Sequence, residues 1–98
     1  MPSSNDHLIK CRKRLIRLDQ KLIALLNERM GISKKVGKIK ALKKINIQQE
    51  KFWKEASSKR KKAIAKTNLN SGFAEGIFTE IHKESLRIQK QVIIEIKK

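Results

Sequence analysis

Between Leu8 and Ile39 the apolar residues keep a seven-residue rule: Leu8, Cys11, Leu15, Leu18, Leu22 and Leu25, then Ile32, Val36 and Ile39. Spacings of three and four alternate, which places all of them on one stripe of a single helix. The pattern predicts an unbroken helix from about Leu8 to Leu42, with Ser4 or Asn5 available to cap its start. At a rise of about 1.5 Å per residue that helix is about 50 Å long. A compact chain of this size has a radius of gyration of about 13 Å. Two shorter helices from the same chain cannot cover such a rod over its whole length. The stripe therefore asks for a second copy of the chain, and a two-fold homodimer is the commonest arrangement of that kind.

The rest of the chain reads as two further helices. Lys43-Lys44-Ile45-Asn46 closes the first, and Asn46 with Gln49 three residues later resembles a capping box for a second helix over Ile47 to Lys66. The apolar content of that helix is modest: Phe52, Trp53, Ala56, Ala63 and Ile64. Thr67-Asn68-Leu69-Asn70-Ser71-Gly72 is a turn, with Asn70 or Ser71 as the next cap. A third helix follows from about Gly72 to Ile96, with the stripe Phe78, Ile81, Ser85, Ile88 and Val92. The expected architecture is all-α: a long, a short and a medium helix in one domain over residues 1–98, with residues 1–6 a flexible terminus.

Composition removes several classes. Hydrophobic residues make up 39% and charged residues 35% of the 98, which suits a folded, soluble chain rather than a disordered one. No run approaches the roughly 18 apolar residues of a membrane span. The start, MPSSNDHLIKCRKR, has no apolar signal core, and a lone Cys11 fits a reducing cytoplasm, so a cytoplasmic protein is expected. No set of His, Cys, Asp and Glu has metal-ligand spacing, and no cofactor motif is present. The balance of 25 Lys plus Arg against 9 Asp plus Glu, net +16, attracts anions of every size. These cations spread through every segment instead of forming one stripe, so nucleic acid is an unfavoured partner.

Polar residues on the apolar seams are the informative exceptions. Arg29 continues the series Leu8, Leu15, Leu22, Arg29, Val36. It either pairs with a carboxylate of a neighbouring helix or aims its guanidinium into a cavity to hold a carboxylate or phosphate. Arg12 and Lys40 each lie one residue beyond a stripe position, after Cys11 and Ile39, on the edge of the same face. In the third helix Ser85 sits in the stripe and Gln89 one turn further on the same side. Taken singly, a helical serine bonds its own backbone and a glutamine is solvated. Together, Arg12, Arg29, Lys40, Ser85 and Gln89 are five donors on inward faces, which describes a pocket for a small, doubly negative ligand.

These segments resemble the all-helical class of chorismate mutases. The resemblance is carried by Leu15-Ile16-Arg17-Leu18-Asp19, Leu25-Leu26-Asn27-Glu28-Arg29-Met30 and Lys35-Val36-Gly37-Lys38-Ile39-Lys40. It continues through Ile77-Phe78-Thr79-Glu80-Ile81 and Glu84-Ser85-Leu86-Arg87-Ile88-Gln89. It implies an intertwined dimer of three-helix subunits that rearranges chorismate, a dicarboxylate, to prephenate without a cofactor. By that resemblance Arg29 grips one carboxylate and Arg12 reaches across from the other subunit. Lys40 and Gln89 flank the ether oxygen whose bond breaks, and Ser85 helps to hold a carboxylate. Such chemistry needs no nucleophile or base: it confines a flexible dianion in a reactive conformer and places donors where charge grows.

The second helix departs from the family pattern Asp-x-x-Arg-Glu, whose glutamate engages the ring hydroxyl. In ungapped register the chain offers Gln49-Glu50-Lys51-Phe52-Trp53, with Gln49 and Trp53 as the ring-facing candidates. A two-residue shift would let Lys54-Glu55 imitate Arg-Glu, but Ser85 and Gln89 already fall in step without one. The departure leaves three readings: a variant chorismate mutase, a sister activity on a chorismate relative, and a partner-dependent or non-catalytic member. The sister activities are isochorismate-pyruvate lyase and aminodeoxychorismate mutase, and in the latter Trp53 would face an ammonium through a cation–π contact. A single Trp at the start of a helix is more often a core residue than a ligand contact, and His82, one residue past Ile81, reads as an interface-edge histidine. His7, near the terminus, reads as solvated.

Overall fold

The computed structural model describes residues 4–46 and 49–98 and contains three helices: α1 (Ser4–Lys43), α2 (Glu50–Ala65) and α3 (Ser71–Lys97). The order long, short, medium is the one the spacing predicts, and no strand occurs among the described residues. By internal contacts the chain divides into two units, Met1–Gly31 and Ile32–Lys98.

The described part of the first unit is the N-terminal stretch of α1. Its leucine and isoleucine side chains at 8, 9, 15, 16, 18, 22, 23, 25 and 26 are all exposed, between 40% and 66%. An isolated amphipathic helix gains little from propensity alone and is stabilised chiefly by burying its apolar face. Each such side chain offers roughly 1.5–3 kcal/mol on full burial. Ser4 and Asn5 are the first two residues of the helix.

In the second unit, α1 ends at Lys43, and Lys44 adopts the left-handed conformation with φ of 56°. The Ile45 N–H donates to the Lys40 carbonyl at 2.9 Å. This six-to-one closure is a Schellman motif, here with lysine where glycine is usual. The expected N-cap, Asn46, does not hold that position. α2 starts at Glu50, and its N-cap is Gln49, whose side chain makes no capping bond. The positions Ile47 and Gln48, where the helix was expected to begin, lie outside the described residues.

The turn between α2 and α3 is well bonded. Thr67 donates both its N–H and its hydroxyl to the Ile64 carbonyl, at 3.0 and 2.6 Å, and accepts from the Leu69 N–H at 3.2 Å. Asn70 then caps α3, its Oδ1 accepting from the Phe73 N–H at 2.9 Å. Of the two caps the sequence offered, asparagine takes the position and Ser71 becomes the first helical residue.

The core of this unit is small. Its buried apolar residues are Ile64, Ala74 and Val92, and its buried polar residues are Ser33, Ser85 and Gln89. Among the described residues the buried polar side chains are thus as many as the buried apolar ones, which is costly unless every polar atom is hydrogen-bonded. Among the described residues, no buried side-chain nitrogen or oxygen lacks a partner. The row facing the core from α1 is Ser33, Gly37 and Lys40; the stripe residues Ile32 and Ile39, one position earlier, are exposed.

Candidate functional site

The site is built where the last turns of α1 meet α3. Ser33, Gly37 and Lys40 recur at spacings of four and three on α1, while Ser85 and Gln89 are four apart on α3, so each set occupies one helix face. Gly37 sets the distance. A Cβ built there would lie 3.0 Å from the Gln89 Cα and 3.4 Å from its Cβ, so only a residue without a side chain admits this approach comfortably.

The close crossing ties four polar side chains into a network. The Lys40 ammonium donates to Gln89 Oε1 at 2.9 Å, joining residues 49 positions apart. A lysine has donors only, so it takes the carbonyl end of the amide and turns the nitrogen end the other way. There Gln89 Nε2 donates to Ser85 Oγ at 3.4 Å. Ser85 Oγ lies 2.5 Å from Ser33 Oγ, with either hydroxyl able to donate. Ser33, Ser85 and Gln89 are 6–7% exposed. Burial also lowers the Lys40 pKa from the usual lysine value, because an ammonium loses hydration as it enters the crossing.

A second cluster lies between α2 and α3. The rings of Trp53 and His82 stack with centroids 3.6 Å apart and planes inclined by 24°. The Arg60 guanidinium lies 4.7 Å from the Trp53 ring centroid and 5.4 Å from that of Phe78. Trp53, Arg60 and Phe78 border a groove of about 240 Å³ that Ser57, Ile64, Glu75 and Thr79 also line. Arg60 reaches this position because Trp53, Ser57, Arg60 and Ile64 share the inner face of α2 at spacings of four, three and four. Phe52, counted among the apolar residues of this helix, points outward and is 67% exposed.

The structure thus brings together Lys40, Ser85 and Gln89 of the residues expected from sequence. Trp53 stands in the second cluster, against His82 and Arg60, and Gln49 is exposed at the α2 N-cap. Arg12 and Arg29 belong to the N-terminal unit, the first exposed and the second half-buried. Sequence reasoning passed over Ser33, Gly37 and Arg60 as parts of these clusters. The signal for the first two was present, since each directly follows a stripe residue, as Lys40 does.

An all-helical chain with a donor-lined helix crossing and no metal-holding group of His, Cys, Asp or Glu among its described residues is the class that fold and site define. Residues 11–90 match the family model described as chorismate mutase type II, and the chain belongs to that family. No curated protein and no solved structure shows significant similarity to it. Among the described residues, no helix is long and apolar enough to cross a membrane.

Proposed function

We propose that the protein catalyses the rearrangement of chorismate to prephenate by confining the dianion between fixed donors. The observation that carries this reading is the Lys40–Gln89 pair, an ammonium and a carboxamide held together at 2.9 Å from opposite helices. An ammonium has three N–H donors and a carboxamide two, so bonding to one another and donating to a shared substrate oxygen are compatible. Both would strengthen their bonds as the ether oxygen gains charge while its bond to carbon lengthens. One preorganised donor of this kind is worth about 2.7–4 kcal/mol in the barrier. Ser85 would donate to a substrate carboxylate, and Arg29 would take a carboxylate in two-pronged fashion.

The reading includes a two-fold homodimer, with Arg12 contributed across the interface. The apolar face over residues 8–26 supports it, because that many exposed leucines and isoleucines call for a covering surface. Charge supports the choice of substrate: the net +16 gives an acidic small molecule a favourable approach.

A second reading, isochorismate-pyruvate lyase, is favoured by one observation: Phe52 and Trp53 stand where the family has Arg-Glu. Without that carboxylate the ring hydroxyl of chorismate lacks its usual acceptor. The Trp53 ring already stacks on His82 and lies 4.7 Å from the Arg60 guanidinium, so it is engaged within the chain, which ranks a cation–π contact to an amino-substituted substrate below isochorismate.

The test is incubation of the purified protein with chorismate, isochorismate and aminodeoxychorismate in separate reactions, with products identified by mass spectrometry. Prephenate from chorismate is the expected result. Salicylate and pyruvate from isochorismate, with chorismate unchanged, would replace the first reading by the second. Turnover of none of the three would remove both.

A further inference from the structure

Ser33 has no part in the chemistry proposed above, yet it is among the most buried polar residues of the chain at 7% exposure. Its hydroxyl lies 2.5 Å from that of Ser85, which also receives the Gln89 amide at 3.4 Å. A serine hydroxyl has one hydrogen and two lone pairs. If Ser85 donates to Ser33, its single hydrogen is committed inside the protein and it has none for a ligand. If Ser33 donates to Ser85, the two lone pairs of Ser85 are filled by Ser33 and Gln89, and its hydrogen points elsewhere. The direction of this one bond therefore decides whether Ser85 can act as a donor.

We propose that Ser33 is a positioning residue, whose hydroxyl donates to Ser85 Oγ. It thereby holds the Ser85 hydrogen toward a substrate carboxylate and the Gln89 amide in line with Lys40. This rests on the chorismate reading of the site. The chain of donation then runs from both ends into Ser85: Ser33 from one side, and Lys40 through Gln89 from the other. Removing the Ser33 hydroxyl leaves Ser85 free to turn its hydrogen onto the carbonyl one turn back on its own helix, the usual resting bond of a helical serine. Ser85 would then be present but wrongly aimed.

The experiment is a double-mutant cycle on steady-state kinetics, with Ser33→Ala, Ser85→Ala and the double variant beside the wild type, and a thermal melt of each. Ser33→Ala is expected to lower kcat/KM about tenfold, the size of one well-made hydrogen bond. In the Ser85→Ala background the same change should add nothing, because Ser33 acts only through Ser85. A purely structural role would instead lower the melting temperature and leave kcat/KM of the folded protein unchanged. Ser33→Thr retains the hydroxyl and should stay within about threefold of the wild type; it also serves if Ser33→Ala does not fold. Wild-type kinetics for Ser33→Ala, a Ser33→Thr loss as large as that of alanine, or losses that multiply in the double variant would overturn the assignment. A wild type with no turnover would overturn the chorismate reading and this assignment with it. An active wild type with an unaffected Ser33→Ala removes this assignment alone.

Discussion

A Cβ on Gly37 would stand 3.0 Å from the Cα of Gln89, so the two helices that carry the candidate site touch through backbone at this point. Gly37→Ala therefore has to separate α1 from α3 by a few tenths of an ångström. Alanine gains about 1 kcal/mol over glycine in helix propensity, but overpacking a close crossing costs about 1–3 kcal/mol. The expected net is a destabilisation of up to about 2 kcal/mol together with a lengthened Lys40–Gln89 bond. Gly76 on α3, with nothing within 4 Å of its added Cβ, is the control. Gly76→Ala should stabilise by up to about 1 kcal/mol and leave activity unchanged. Urea melts and kcat/KM for the two variants check the contrast.

Lys40 gives the site its pH dependence. Burial lowers its pKa, so the ammonium needed for donation is lost at a lower pH than for an exposed lysine. The rate against pH should fall on the alkaline side with its midpoint below the usual lysine value. Stability should move the opposite way. The folded state releases the Lys40 proton before the unfolded state does, so between the two pKa values the unfolded chain binds more protons and stability rises with pH. Lys40→Met should remove the alkaline limb and lower kcat by about 10²–10³. A limb that survives in Lys40→Met would assign it to another group.

Two helix-end devices can be tested without reference to activity. Lys44 holds a left-handed conformation that costs a non-glycine residue about 1 kcal/mol. Lys44→Gly should raise stability by up to that amount, even though glycine is a poor choice at most positions. Asn70→Ala removes the bond to the Phe73 N–H and should cost about 1 kcal/mol. Chemical denaturation reads both, and the opposite signs make the pair self-controlling.

The number and order of helices were legible because spacings of three and four persist over many turns in α1 and α3. The start of α2 was not. Asn46 and Gln49 have the residue types of a capping box, but the chain reverses through Lys44 and Ile45 before the helix can begin at Glu50. Within the site, Lys40, Ser85 and Gln89 were legible as donors out of place on apolar faces. Ser33 and Gly37 were not, because the apolar stripe drew attention to Ile32, Val36 and Ile39. The face that α1 buries against α3 is turned one residue further on, and it is small and polar. Arg60 escaped for a related reason: an arginine is read as solvated, yet its planar head can lie on Trp53 and Phe78.

The proposed exchange of Arg12 between subunits makes a quantitative prediction. If Arg12 serves the partner's site while Lys40 serves its own, Arg12→Ala and Lys40→Ala are each inactive as homodimers. A heterodimer of the two has one site lacking both groups and one with both. Unfolding an equimolar mixture and refolding it together makes about half of the dimers heterodimers. About one quarter of all sites should then be intact, and the mixture should recover about a quarter of wild-type kcat. Mixing without unfolding should recover less if subunits exchange slowly. The same two-fold interface predicts a particle of twice the 11.4 kDa chain mass, which Leu22→Glu in the middle of the exposed stripe should reduce to a single chain. Light scattering reads the mass. A refolded mixture with no activity, from a wild type that is both active and dimeric, would place Arg12 and Lys40 in the same subunit's site.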